Sequence, residues 1–179
     1  MRIKKYSDKH SEVFVVSGKN IKDSRGTFKK TIYGENLKNL MPNPSEVLTS
    51  TSKKNVVRGL HFQNPPHQVS KFITCIYGEI FDVFLNIKKH SKGYGSYGHQ
   101  NLSGDDDTAL FIPEGYAHGF SVISDIAVVV YLQSDDFNEE CDASINPLSL
   151  DIDWKVQNPI ISKKDENAIE FKDFKSEFE

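Results

Sequence analysis

The sequence predicts an all-β fold, a sandwich or barrel of short strands. Three observations carry that expectation. Runs rich in β-branched and aromatic residues recur at short intervals, near 79–87, 97–102, 108–112, 119–123 and 127–133. Turn-like connections separate them: KKHSKGYGS, SGDDD, PEGYAH and SD, a punctuation typical of all-β domains. Between them no stretch has the length and 3.6-residue period of a crossover helix, which argues against a parallel βαβ arrangement.

Composition sets the outer bounds. A chain of 179 residues with 37% hydrophobic and 11% aromatic content is expected to form a single globular domain over 1–179 that buries a full core. A net charge of −3 gives no reason to expect nucleic acid or an anionic membrane as partner. Cys75 lies inside a strand pattern and Cys141 is its only companion, so Cys75 reads as a small buried hydrophobe and not as half of a disulfide. MRIKKYSDKH lacks the apolar stretch of a signal peptide, and AVVVYL is too short to cross a bilayer. A cytoplasmic protein is expected.

In chain order, residues 11–17, SEVFVVS, read as a strand. GKNIKDSRGTF follows as turn, with Arg25 either an anion ligand or a solvated side chain. Residues 34–45 hold one short helical turn that Pro42 and Pro44 stop, and EVLTSTS at 46–52 is strand. The central stretch, 56–78, crowds Arg58, His61, Gln63, His67, Gln68 and Lys71 ahead of a plain strand, FITCIY. Spacing alone leaves a pocket and a basic surface loop equally open. EIFDVFLNI alternates, with Phe81, Val83, Leu85 and Ile87 on one face and Ile80, Asp82, Phe84 and Asn86 on the other. Asp82 on that second face is an edge residue or a buried carboxylate, and Lys71 on what is taken as the neighbouring strand is its expected partner. AVVVYLQ should be buried on both faces, where the Tyr131 phenol needs a hydrogen-bond partner. Residues 141–161 look irregular and pinned by Trp154, the only tryptophan. The last dozen residues are highly charged and are expected to form a short surface helix.

One pattern is more specific. IPEGYAHGF places Pro113, Gly115 and His118 in the spacing P-x-G-x-x-H, which resembles the second motif of cupins, small double-stranded jelly-roll barrels. In metal-binding cupins this histidine is a ligand alongside a paired H-x-H and a glutamate. Here His61, Phe62 and Gln63 stand where the H-x-H would be, so the ligand set is incomplete and no metal is expected.

R-G-L-H-F-Q, the ten residues from His61 to Lys71, G-E-I-F-D-V, I-P-E-G-Y-A-H-G-F, the Tyr131 strand, D-I-D-W and I-S-K-K-D together resemble the dTDP-4-dehydrorhamnose 3,5-epimerase family, from about residue 21 to 166, with 167–179 left as a charged tail. The resemblance implies a cupin jelly roll with a short irregular or helical C-terminal segment. It implies an isomerase that inverts C3 and C5 of a nucleotide-linked 4-keto-6-deoxy sugar for capsule or lipopolysaccharide synthesis. A ketone at C4 acidifies both neighbouring carbons, so a base on one face and an acid on the other suffice, with a cation or donor at the enolate oxygen. In the family's pattern His61 is the base, Asp165 its orienting carboxylate, Tyr131 the opposing acid, and Lys71 the enolate partner supported by Asp82. Arg25, Arg58, Gln63, His118 and Lys164 match substrate-binding positions, and Phe137 the ring that stacks on the nucleobase. No cofactor is implied, and a homodimer with exchanged N-terminal strands is.

Departures affect the nucleotide. Family members acting on deoxythymidine sugars often carry a glutamate where this chain has Lys30, and a Q-x-N pair where it has Glu46 and Leu48. A GDP-linked 4-keto-6-deoxyheptose is therefore an alternative substrate. A C3-only epimerase, a cupin 3,4-ketoisomerase and a sugar-binding jelly roll without activity are the alternative functions.

Overall fold

The computed structural model describes residues 2–31 and 34–179. The strands are β1 (Arg2–Lys5), β2 (Phe14–Ser17), β3 (Lys19–Asp23), β4 (Gly26–Lys30), β5 (Glu46–Lys53), β6 (Val57–Gln63), β7 (Lys71–Tyr77), β8 (Glu79–Asn86), β9 (Tyr97–Ser103), β10 (Thr108–Ile112), β11 (Tyr116–Val122), β12 (Ile126–Gln133) and β13 (Asp142–Ser144), with short helices α1 (Glu35–Leu40) and α2 (Lys163–Glu166). A six-stranded sheet runs β1-β2-β10-β7-β12-β5, and a five-stranded sheet runs β13-β6-β11-β8-β9. The two face each other as the cupin jelly roll.

Three apolar layers follow from strand alternation. Between the sheets lie Ile73, Cys75, Leu110, Ala127 and Val129 from one side and Ile80, Phe84, Leu102, Phe120 and Val122 from the other. Phe81, Val83, Leu85 and Ile87 point the opposite way from β8 and meet Ile145, Ile152, Trp154 and Phe178. The alternation read in EIFDVFLNI is thus a strand with a core on each face, and Asp82 sits on the inner one, fully buried. The outer face of the larger sheet is covered where Leu37, Leu40 and Met41, in and after α1, pack on Phe72, Ala109 and Phe111.

Three segments depart from expectation. GKNIKDSRGTF contains the hairpin β3–β4, which pairs only with itself. Its polar, exposed residues give no burial signal. AVVVYLQ is buried on its inner face alone, and Val128 and Val130 are half-buried, because α1 covers only part of the outer face. The C-terminal dozen forms no α-helix: a 3-10 turn at Phe171–Asp173 leads into extended chain. Phe171, Phe174 and Phe178 anchor that segment on the Trp154 cluster, and the burial of such rings, about 1.5–3 kcal/mol each when complete, outweighs the solvation of charges that can stay at the surface.

The crossing of β6 and β11 sets the site. His61 stands opposite His118, and the register shifts between His118 and Phe120. Gly59, with φ +121°, and Gly119 occupy that irregularity. A Cβ on Gly119 would lie 2.5 Å from the Arg58 carbonyl and 3.1 Å from the Gly59 Cα. These are backbone atoms of β6, which cannot swing aside as a side-chain tip can. Gly119→Ala is expected to lower the unfolding free energy by about 1–3 kcal/mol in urea denaturation. A variant as stable as its parent would show that the crossing opens freely.

Candidate active site

A cavity of roughly 420 Å³ opens at one end of the space between the sheets, a size suited to a small ligand. The five-stranded sheet supplies Arg58 and His61 from β6 and His118 from β11; the six-stranded sheet supplies Lys71 from β7, Tyr131 from β12 and Ser50 from β5. Phe137, Asp142 and Lys164 reach the rim from loops and α2.

His61 Nε2 lies 2.6 Å from Asp165 Oδ1. The Asp165 side chain is 4% exposed against 37% for His61, so the carboxylate stands behind the ring and the ring meets the cavity. Ser162 caps α2 by accepting the Asp165 N–H at 3.0 Å, which fixes where that helix presents its aspartate. Burial pushes the Asp165 carboxyl up, but the hydrogen bond and charge of His61, with Ser162 and the Gly59 amide, outweigh it and hold the carboxyl below its ordinary value. An ionised Asp165 accepts from Nε2–H and leaves Nδ1 as the basic nitrogen.

Lys71 Nζ donates to the His61 carbonyl at 3.1 Å. Burial drives its pKa down to about 8 against the opposing pull of Asp142 and Asp82. A lysine lowered that far puts into the cavity a cation that is easily discharged. The expected Lys71–Asp82 pair is not formed by direct contact. β7 and β8 lie in different sheets, and Asp82 Oδ2 instead accepts from His118 Nε2 at 2.9 Å. Both members of that pair are fully desolvated: burial raises Asp82 and lowers His118, favouring the neutral form of each. Asp82 Oδ1 has no hydrogen-bond partner among the described residues.

Tyr131 is placed by its neighbours. Its hydroxyl lies 3.3 Å from Ser50 Oγ, and its ring meets that of His118 edge-on at 6.0 Å. Burial pushes its pKa far up, so it is a proton donor at working pH. Arg58 Nε donates to Ser52 Oγ at 2.9 Å, and Glu46 accepts from Gln133 Nε2 at 3.2 Å. Edge strand β5 thereby braces Arg58, Tyr131 and Gln133 through alternate residues. The sequence marks EVLTSTS as strand, but nothing in it marks Ser50 as a cavity residue or Ser52 as the partner of Arg58. Asp142, which pairs with Lys164, carries no sequence signal of its own in an irregular segment.

Two expected binding residues are engaged within the protein: Arg25 away from the cavity and Gln63 at its border. Arg25 lies on the β3–β4 hairpin, 88% exposed and paired with Asp23 at 2.6 Å, and lines a cleft formed by that hairpin. Within one chain it does not line the His61 cavity, because it sits on a hairpin that pairs with neither main sheet. Gln63 borders the cavity, but its amide is committed to protein: Nε2 donates to the carbonyls of His67 at 2.7 Å and Asp136 at 3.2 Å, and Oε1 accepts from the Asn138 N–H at 2.7 Å. Nothing remains on that nitrogen for a substrate. Among the described residues no group of three or more His, Cys, Asp or Glu side chains could hold a metal ion, and no helix is long and apolar enough to cross a membrane.

A carbon acid held in this cavity would have an imidazole on one sheet, a phenol on the other and an ammonium at the wall. That is an arrangement for moving protons at carbon. A family profile described as dTDP-4-dehydrorhamnose 3,5-epimerase matches residues 8–173. The dTDP-4-dehydrorhamnose 3,5-epimerase of Shigella flexneri is 36% identical over 167 residues, covering 90% of this chain and 92% of the relative. A dTDP-4-dehydrorhamnose 3-epimerase of Streptomyces niveus is 32% identical, covering 82% and 73%. The crystal structure of a dTDP-6-deoxy-D-glucose-3,5-epimerase from Legionella pneumophila Philadelphia 1, in complex with dTDP-4-keto-L-rhamnose, superposes with a TM-score of 0.89 at 29% identity, covering 97% of this chain and 95% of the other. The chain belongs to the dTDP-4-dehydrorhamnose 3,5-epimerase family and is an isomerase of nucleotide-linked 4-keto-6-deoxy sugars.

Proposed function

We propose that His61, Tyr131, Lys71 and Asp165 carry the inversion of C3 and C5. The observation that supports this is that His61, paired with Asp165 of α2, lines one cavity with Tyr131 and Lys71 of the opposite sheet. His61 Nδ1 takes the proton from carbon as the C–H electron pair moves into the ketone. Lys71 stabilises the enolate oxygen that results. Tyr131 returns a proton to the opposite face; before the next turnover it recovers one from solvent, and the His61 imidazolium releases to solvent the one it took. Arg58 and Lys164 receive the diphosphate as cations on the rim. His118, locked to Asp82, shapes the wall beside the sugar.

dTDP is the nucleotide of the first reading, as the relatives' substrates suggest. A GDP-linked sugar is the second, favoured by Glu46 and Leu48 on the cavity wall, where a carboxylate can accept from a donor-rich base. Nucleoside diphosphate sugars are too charged to cross a membrane unaided. The same reading therefore places the enzyme in the cytoplasm, supplying deoxysugars for capsule or lipopolysaccharide.

The assembly we propose is a homodimer. The β3–β4 hairpin leaves Ile21 and Phe28, directly paired, exposed at 43% and 58%, and an isolated two-stranded hairpin is marginal in water. A second copy seated on it covers both side chains and brings Arg25 to the neighbour's cavity. Sedimentation equilibrium is expected to give twice the chain mass; a monomer at micromolar concentration would exclude the exchange.

Incubation in D2O with dTDP- and GDP-linked 4-keto-6-deoxy sugars, read by NMR and mass spectrometry, is expected to place deuterium at both C3 and C5 with the dTDP sugar, and His61→Asn to slow this by about 10²–10⁴-fold. Deuterium at C3 alone would make the enzyme a 3-epimerase, and exchange only with the GDP sugar would reassign the nucleotide.

Lys71 gives a separate test. A lysine pKa lowered to about 8 means that the cation is lost as pH rises through that value. kcat/KM is expected to fall above about pH 8, and Lys71→Ala to lose about 10²–10³-fold together with that limb. Full activity in Lys71→Ala would favour a ketoisomerase.

A further inference from the structure

Gln63 ends β6 with 5% of its surface exposed. Both hydrogens of its amide nitrogen are spent, on the carbonyls of His67 and Asp136, and its oxygen takes the Asn138 N–H. Asp136 and Asn138 are the residues on either side of Phe137. One buried side chain therefore grips the main chain immediately before and immediately after that ring. Phe137 itself is 58% exposed, at the cavity rim. Other bonds tie the same loops, but elsewhere. His67 Nδ1 meets Asp135 Oδ2 at 3.1 Å, the Ser70 N–H donates to Ser134 Oγ at 2.9 Å, and Ser45 takes the carboxylate of Asp136 and not its main chain. The direction in which the Phe137 ring projects is thus set by its backbone, and from the barrel that backbone is gripped by Gln63.

We propose that Gln63 is a positioning residue for the nucleotide end of the substrate: it holds residues 136–138 so that the Phe137 ring stands ready to stack on the base. This rests on the reading of Phe137 as the stacking ring. It replaces the expectation that Gln63 touches the substrate. A ring on a pre-set loop loses less freedom on binding than one on a loose loop, and that difference is read as affinity. Loss of the grip weakens nucleotide binding only as long as there is a ring to position.

The test is a double-mutant cycle on binding, which does not depend on turnover. dTDP, and GDP alongside it, is titrated calorimetrically into the parent, Gln63→Met, Phe137→Ala and the double variant. Gln63→Met is expected to bind about tenfold more weakly than the parent, and the same change to cost less than twofold when Phe137 is already alanine. Hydrogen exchange is expected to quicken over 134–140 in Gln63→Met while β6 and β11 exchange as in the parent; Gln63→Ala serves if the methionine variant fails to fold. Equal losses in both backgrounds, or unchanged binding in Gln63→Met, would overturn the positioning role alone. Undiminished binding by Phe137→Ala, or no binding of either nucleotide by the parent, would overturn the reading beneath it.

Discussion

Desolvation at one end of an apolar barrel is the constraint to which every polar group in the cavity answers. The sheets that pack Ile73, Val129, Phe84 and Phe120 against each other also withdraw Lys71, Asp82, His118 and Tyr131 from water. Burial is the largest influence on all four: it lowers the lysine and the histidine and raises the aspartate and the tyrosine. Charge is disfavoured throughout, and the groups stay chemically distinct because their partners differ. Asp142 and Asp82 pull Lys71 back toward its cation. Asp82 Oδ2 and His118 Nε2 pair with each other, while Asp82 Oδ1 has no partner among the described residues. Burial outweighs the opposing pull of Ser50 and Arg58 on Tyr131, which remains a phenol. Asp165 escapes because His61 and the α2 cap answer its charge.

The same barrel decides which residues can meet. His61 and His118 are neighbours because β6 and β11 cross at two glycines. Tyr131 faces them because β12 belongs to the other sheet. His61 is paired with Asp165 and Tyr131 with Ser50, and a ligand between the two sheets is addressed from both faces. The active-site polarity is therefore a property of the sandwich, with side-chain identity added at a handful of alternate positions.

Much of this was legible in the residues. Period-2 alternation and regular turn punctuation mark the barrel strands, because each has at least one buried face. The β3–β4 hairpin was not legible, since neither of its faces is buried within the chain. The C-terminal aromatics were hidden by the charges between them. Within the site, His61, Lys71 and Tyr131 stood out as ionisable groups on strands. Their partners did not. Asp165 lies 104 residues from His61, a distance that only a family resemblance could bridge. Lys71 and Asp82 look adjacent because their strands follow each other in sequence, yet the connection passes from one sheet to the other. Gln63 carries the right atoms for a ligand contact, and only the loops folded over it show that those atoms are occupied.

Strand β5 suggests how such an enzyme can change what it accepts. It is the outermost strand of its sheet, and Val47 and Leu48 are exposed, while the strands bearing His61, Lys71 and Tyr131 have neighbours on both sides. Substitutions at Glu46 and Leu48 disturb little of the core, so they face weak selection for stability and free selection for fit. On the proposed reading, the chemistry sits on strands paired on both sides, and Glu46 and Leu48 of the cavity wall lie on an edge strand. A lineage can thus drift toward a new activated sugar one residue at a time and remain a working epimerase throughout.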